Sequence, residues 1–290
     1  MIKSGFVNII KPTGESSSNV VCKIKKILGT KKVGHLGTLD PAAAGVLPIA
    51  FGKATKFFDY FLNKDKKYFA IAEFGVLTDT LDSEGEIVVN NPTSVTKEQI
   101  NTKIKSFLGE INQTPPLYSA ISINGYRAYE LARNGEVVDM PSRKVQIYDF
   151  NVVDKIDENK FSFVLHCSSG TYVRSLLLDL AKSLGTVANI PVIIRLASGC
   201  FNLNDAVLLD EIRENCQQSL IKVEDVLPNL KRINFEKNHY KQILNGVIIN
   251  NNYNVENGEE FLGYINNKLF GLFICQNGQI SCKINLYEGE

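Results

Sequence analysis

The chain has 290 residues, 44% of them hydrophobic and 22% charged, with a formal net charge of +1. That length suffices for one large domain plus a small one, and the composition excludes a disordered or collagen-like chain. No apolar run reaches the ~20 residues that cross a bilayer, and the opening MIKSGFVNIIKPTG lacks the apolar segment and cleavage site of a signal peptide, so a cytoplasmic location is expected.

GFVNIIKP reads as a short strand stopped by Pro12. Ser16 to Ser18 offer N-caps for a helix reaching about residue 28, with Val20, Val21, Ile24, Ile27 and Leu28 as its apolar stripe and Gly29 as its terminator. A glycine-rich loop follows, and then GVLPIAFG and KKYFAIAEFG read as strands. Thr96 and Gln99 form a capping-box pattern for a helix through Ile100, Ile104 and Phe107, ending at Gly109. Residues 117–123 look extended, 126–134 look helical with Gly135 closing them, and strands are expected around 144–153 and 160–168. RSLLLDLAKSLG predicts an amphipathic helix from 174 to 184, capped by Gly185. Beyond Pro228 a short helix at 236–244 precedes the runs FLGYI, LFGLFI and ISCKINL, divided by Asn and Gly. The chain therefore divides into an α+β part, 1–230, and a small β-rich part, 231–290.

The net charge conceals an asymmetry. Residues 1–67 hold twelve lysines, no arginine and four acids, a local excess of eight positive charges. Such a segment suits a phosphate backbone, or is simply a solvated lysine surface. The six cysteines form no C-x-x-C pair, and none stands at zinc spacing from a histidine, so reduced thiols and no metal are expected. There is no G-x-G-x-x-G fingerprint, and GKAT at 52–55 lacks the preceding glycines of a P-loop, so no nucleotide cofactor is expected. Asp79 and Asp82, in TDTLDSEGE, lack calcium-loop spacing and read as a turn.

The densest chemistry lies at 34–48, GHLGTLDPAAAGVLP. Its glycines allow tight turns and close approach to a ligand. Pro41 biases Asp40 toward an extended backbone, which presents the carboxylate from a stiff loop; taken alone, Asp-Pro also reads as an ordinary turn start. The stretch resembles the signature of the TruB-type tRNA pseudouridine-55 synthases, G-H-x-G-x-L-D-P-x-A-x-G-x-L, carried here by Gly34, His35, Gly37, Leu39, Asp40, Pro41, Ala43, Gly45 and Leu47. KKYFAIAEFGVLTDTLDSEGE (66–86) is similar to that family's tyrosine motif, QTPPLYSAISINGYRAYELARNG (113–135) to a further family segment, and CSSGTYVRSL (167–176) to its arginine motif. Order and spacing agree from about residue 5 to about residue 205. Leu36 and Ala44 stand where the family commonly has threonine. Ile193 and Ile194 precede a single Arg195 where it usually has leucine and two arginines, so no RNA contact is carried over to Ile194.

The resemblance implies an α+β pseudouridine synthase fold: a mixed, largely antiparallel sheet flanked by helices, then a small β-rich PUA-like RNA-binding domain. It implies isomerisation of a uridine in the T loop of tRNA, without cofactor or metal. Nothing demands an obligatory protein partner or more than a monomer. Asp40 would act as nucleophile or charge stabiliser. Tyr68 would hold the detached base by stacking and take part in a proton transfer. Arg174 would pair with Asp40 through two parallel hydrogen bonds. For substrate binding the resemblance points to His35, in the space a flipped nucleotide leaves, to Gly37 and Tyr172, and to Ile193 packed beneath Tyr68.

The residues alone allow blander readings. KYFAIAEF alternates like an ordinary strand with Tyr68 in the core, Arg174 fits a surface position in a first helical turn, and His35 fits a locally bonded loop. His166 reads as structural and His239 as an exposed helix residue. Three rival functions follow. Joint retention of Asp40, Tyr68 and Arg174 argues against a purely non-catalytic RNA-binding or tRNA-folding protein, although folding assistance is compatible with catalysis. A base-excising glycosylase would release free uracil. A sister synthase with another RNA target differs only in its product position. The last 60 residues balance Lys and Arg at 231, 232, 237, 241, 268 and 283 against Glu at 236, 256, 259, 260, 288 and 290, which does not favour strong independent RNA binding.

Overall fold

The structure is a computed structural model that describes residues 3–91, 93–119, 121–123, 125–135 and 138–287. Residue 120, inside the segment read as extended, and residues 288 and 290 of the C-terminal charge balance lie outside the described residues.

Strand β1 (Gly5–Lys11) is buried along most of its length. Helix α1 (Ser17–Leu28) begins where the Ser16 hydroxyl accepts the Asn19 N–H at 3.1 Å, and it stops at Gly29, whose φ of 61° is left-handed. Val20, Val21 and Ile24 of the expected stripe are buried. Strands β2 (Val33–His35) and β3 (Ala44–Phe51), helix α2 (Phe58–Leu62) and strand β4 (Lys66–Phe74) follow. A hairpin of β5 (Val76–Thr78) and β6 (Ile87–Asn90) encloses the turn that contains Asp79 and Asp82. Helix α3 (Lys97–Ile104) carries the full capping box: Thr96 Oγ1 accepts from the Gln99 N–H at 3.3 Å, and Gln99 Oε1 from the Thr96 N–H at 2.9 Å. The expected continuation through Phe107 is one 3-10 turn, and Gly109 opens β7 (Gly109–Gln113). Beyond it a small hairpin, β8 (Ser122–Ile123) with β9 (Tyr126–Arg127), takes the first residues of the expected helix, so α4 spans Ala128–Arg133. Then come β10 (Arg143–Lys155), β11 (Lys160–Cys167), α5 (Val173–Ser183), β12 (Ala188–Ser198), β13 (Phe201–Asn202), α6 (Leu209–Glu214) and α7 (Val223–Val226).

Nine strands form the main sheet in the order β1-β3-β12-β4-β11-β10-β7, with β2 added on β3 and β13 on β12. Among the described residues only the β12–β3 pair of this sheet is parallel, which gives the mixed, largely antiparallel sheet expected. One face is covered by α1, α3 and α5, whose Val20, Ile24, Ile100, Leu177 and Leu180 share a core with Ala70, Ala72, Phe163 and Leu165 of the strands. Strand β12 sits at the centre although it contains Pro191, a residue normally kept out of central strands. Its register with β4 slips between Asn189 and Val192, so the proline occupies an irregularity and takes no ladder bond away.

The C-terminal part contains β14 (Lys231–Asn234), α8 (Lys237–Leu244), β15 (Ile249–Asn250), β16 (Glu260–Ile265), β17 (Lys268–Gln276) and β18 (Gln279–Asn285). Its five strands run in the order β14-β16-β17-β18-β15. Phe261, Phe270, Phe273 and Ile280 give it a core of its own. On its other side Leu262, Leu272 and Ile284 join Phe6, Phe57, Phe61 and Phe201 in one apolar layer. The rings of Phe6 and Phe201 meet that of Phe61 edge-on, 5.3 and 5.4 Å between centroids. Full burial of each such ring stabilises by roughly 1.5–3 kcal/mol, so the two sheets are joined by a shared core. His239 differs from expectation: it is half-buried, with its ring nitrogen 2.6 Å from the Tyr253 hydroxyl.

Candidate active site

The Asp40 loop is held from several directions. Ser17, at the start of α1, donates from its hydroxyl to the Leu39 carbonyl and accepts from the Leu39 N–H, both at 2.9 Å. Below the next residue, the Pro41 carbonyl accepts from the Gly14 N–H at 2.9 Å and from the Lys11 ammonium at 3.1 Å. Lys11 is fully buried, and that burial pulls its pKa down to about 8 against the opposing pull of Asp40 and Glu15. The two limbs of the loop are tied by Arg195, whose guanidinium donates to the carbonyls of Gly37, Thr38 and Val46 at 3.2, 3.1 and 2.7 Å. At Gly45, with φ of 106°, a Cβ would lie 2.3 Å from the Arg195 carbonyl, so only glycine lets β3 and β12 approach this closely. The stiff presentation expected of Asp40 has this bonding as its physical basis.

Asp40, Tyr68, Tyr172, Arg174 and Ile193 line one cleft, together with Thr38, Leu39, Ala43, Thr171 and Val173. Four separate segments supply them: the loop, β4, the start of α5 and β12. Arg174 is nearly fully buried, whereas the Asp40 side chain is 34% exposed. Arg174 Nη2 donates to Asp40 Oδ2 at 2.5 Å and to the Tyr118 carbonyl at 3.0 Å. Nη1 donates to the Thr80 carbonyl at 2.7 Å and lies 3.3 Å from Asp82 Oδ2. The pairing with Asp40 is therefore a single bond, not the two-point fork expected: Nη1 faces Thr80 and Asp82, and Nε has no hydrogen-bond partner among the described residues. Among the described residues Asp40 Oδ1 has no hydrogen-bond partner. The Asp82 carboxylate also offsets the cost of burying the guanidinium.

Tyr68 is 9% exposed, and burial raises its phenol to about 12, opposed in part by the charge of Arg195 beside it. It is a neutral phenol throughout the physiological range. Ile193 borders the same cleft from β12. Tyr172 is clamped by the buried amide of Gln113, which accepts the Tyr172 N–H at 2.8 Å and donates to its carbonyl at 3.0 Å. The Arg143 guanidinium lies 4.7 Å over the Tyr172 ring. His35 and Gly37 do not line the cleft. His35 sits on β2, partly buried, with Nδ1 unbonded among the described residues; burial and then Arg195 lower its pKa, which favours the neutral ring. Gly37 lies at the turn held by Arg195, with φ of 132°. His166 pairs with Asp65 and lies 4.8 Å from the Tyr148 ring, away from the cleft.

Sequence reasoning missed three residues of this site. Asp82 read as a turn residue, Gln113 carried no signal of its own, and Arg195 was noticed only as half of a missing arginine pair. Each acts through a partner distant in the chain, and no local pattern announces that. A charged residue inside the apolar run VIIRLA was the one available hint of Arg195, since such a cation must find buried acceptors.

Comparison with known proteins identifies the family. The family model described as TruB family pseudouridylate synthase, N-terminal domain, matches residues 25–173. The tRNA pseudouridine synthase B of Caldanaerobacter subterraneus is 39% identical over 98% of this chain and 99% of its own. That of Clostridium kluyveri is 40% identical over 97% and 95%, respectively. A crystal structure of a Cbf5-Nop10-Gar1 complex contains a chain of the same fold, with a TM-score of 0.71 and 24% identity over 94% of this chain and 79% of that one. Among the described residues no helix is long and apolar enough to cross a membrane. With relatives of this identity aligned almost end to end, and a family model covering the segment that carries Asp40 and Tyr68, the chain belongs to the TruB family of pseudouridylate synthases.

Proposed function

We propose that this pseudouridine synthase acts on position 55 in the T loop of tRNA, with Asp40 as its catalytic carboxylate. The observation that carries the reading is the meeting of Asp40, Tyr68, Tyr172, Arg174 and Ile193 in one cleft. Isomerisation breaks the N1–C1′ bond, turns the base and joins C5 to C1′. The C5 proton leaves and N1 gains one, so no co-reactant is needed. Arg174 holds Oδ2 of Asp40, and Oδ1 meets the sugar or the base. Tyr68 offers the detached uracil a face to stack on, and its phenol is available for hydrogen bonding. The target base must leave its stack to reach Asp40. Tyr172 and Ile193 would bound the space it enters; His35 and Gly37, which do not line the cleft, would act from the segment before Asp40.

Residues 1–230 would form the catalytic domain and 231–290 a PUA-like RNA-binding domain. The lysine-rich first 67 residues are the natural contact for the phosphates around the target. The protein would work in the cytoplasm as a monomer, without an obligatory protein partner, on the T stem-loop as its minimal RNA.

The test is a pseudouridine time course on whole unmodified tRNA and on an isolated T stem-loop, at two salt concentrations. The stem-loop is expected to be converted at a rate not far below whole tRNA, with weaker binding at higher salt. A stem-loop that is bound but never converted would show that recognition involves the rest of the tRNA. Inert tRNA alongside conversion of another structured RNA would assign the protein a different target.

A further inference from the structure

Arg195 is only 1% exposed, and among the described residues it forms no ion pair with a carboxylate. A buried cation without a counter-ion is costly unless its donors are fully used. Here each of its three nitrogens donates to a backbone oxygen, the carbonyls of Gly37, Thr38 and Val46. That loop is already pinned by Ser17, Gly14 and Lys11. The three carbonyls therefore form a rigid frame, and the guanidinium is fixed in it.

What the fixed guanidinium addresses lies on the neighbouring strand. In the β12–β4 ladder Arg195 stands directly opposite Tyr68. Opposed residues of an antiparallel pair project to the same face with Cβ atoms ~5 Å apart. The Tyr68 side chain thus lies on the strand face that carries Arg195, within reach of the charge of the guanidinium. A fixed cation at this place favours a phenol whose oxygen faces it and whose proton points elsewhere, and Tyr68 also borders the cleft that holds Asp40.

We infer that Arg195 is a positioning residue for the isomerisation, a buried cation anchored on the Asp40 loop that orients the Tyr68 hydroxyl toward the reacting base. The inference rests on the assignment of Asp40 and Tyr68 to the reaction. Lysine cannot replace it, because a single ammonium cannot span three carbonyls and still meet the phenol.

A double-mutant cycle tests this. Single-turnover rates at saturating tRNA, and tRNA Kd values, are measured for wild type, Arg195→Lys, Tyr68→Phe and the double variant. Arg195→Lys is expected to slow the chemical step by about tenfold or more, with Kd changed by less than about twofold. In the Tyr68→Phe background the same change should cost less than about threefold, because the hydroxyl it orients is gone. A residue that merely supports the fold would cost the same factor in both backgrounds, and that result would overturn the inference. If Arg195→Lys is unstable at the assay temperature, Arg195→Gln, which keeps a planar donor, enters the same cycle with the same two outcomes. A wild-type rate in Tyr68→Phe alone would instead remove Tyr68 from the reaction, and with it the premise.

Discussion

Asp40 is partly open to solvent while its partner Arg174 is buried, and this difference decides what each substitution should do. Asp40→Asn keeps size and removes charge. Turnover should disappear while tRNA affinity stays within a few fold, measured by product formation and by filter binding; a wild-type rate would remove Asp40 from its role. Arg174→Lys keeps charge and loses geometry. The guanidinium serves Asp40, Asp82 and the Thr80 and Tyr118 carbonyls, more acceptors than one ammonium reaches. A loss of at least about tenfold in single-turnover rate and about 1–3 kcal/mol in urea stability is expected; unchanged values would show that the network is dispensable. Lys11 gives a pH signature. Its folded pKa of about 8 lies below the ordinary 10.5, so between these values the unfolded chain binds the extra proton. Its contribution to stability therefore rises with pH across that window. Compared with Lys11→Met, wild type should gain stability from pH 7.5 to pH 9.5 in denaturant titrations, and a constant difference would contradict the shift. At this scale the sequence exposed Asp40, Tyr68 and Arg174 through their motifs, but the bond from residue 82 to residue 174 exists only once the fold brings the two together.

Helix α1, the capping box of α3 and the strands bearing Tyr68 and His166 were legible because their signals are local: a cap, a period, a terminating glycine. Strand β12 was not, although it lies at the centre of the sheet. ANIPVIIRLAS is apolar without alternation and contains a proline and an arginine, both poor signs of a central strand. The slipped register at Pro191 and the backbone acceptors around Arg195 resolve both objections, and both are tertiary. The close β3–β12 contact makes a further prediction. Gly29→Ala places a Cβ in open space at a left-handed position, at a cost of about 1–2 kcal/mol. Gly45→Ala carries a backbone penalty and also drives its Cβ against the Arg195 carbonyl, so its loss in urea denaturation should be clearly larger. Equal losses would mean that the contact yields without cost.

For the whole molecule, the two sheets share the apolar layer of Phe6, Phe57, Phe61, Phe201, Leu262 and Leu272, so the C-terminal part is docked by burial rather than by charge. The lysine excess lies in the first 67 residues, the segment that contains the Asp40 loop; Lys11 and Lys66 are buried, so its exposed lysines are the ones that should grip the RNA. Among the described residues no cluster of His, Cys, Asp and Glu could hold a metal ion. Because the isomerisation needs no co-reactant, conversion of a prefolded RNA is expected to continue in the presence of a chelator, and a strict need for added Mg²⁺ under those conditions would count against the proposed chemistry. The central claim is isomerisation by Asp40 at one uridine of tRNA. Release of tritium from C5-labelled unmodified tRNA, followed by mapping of the product, tests it most directly. Wild type should release one equivalent and leave pseudouridine at position 55, while Asp40→Asn releases none; free uracil, a product elsewhere, or release by Asp40→Asn would contradict the account.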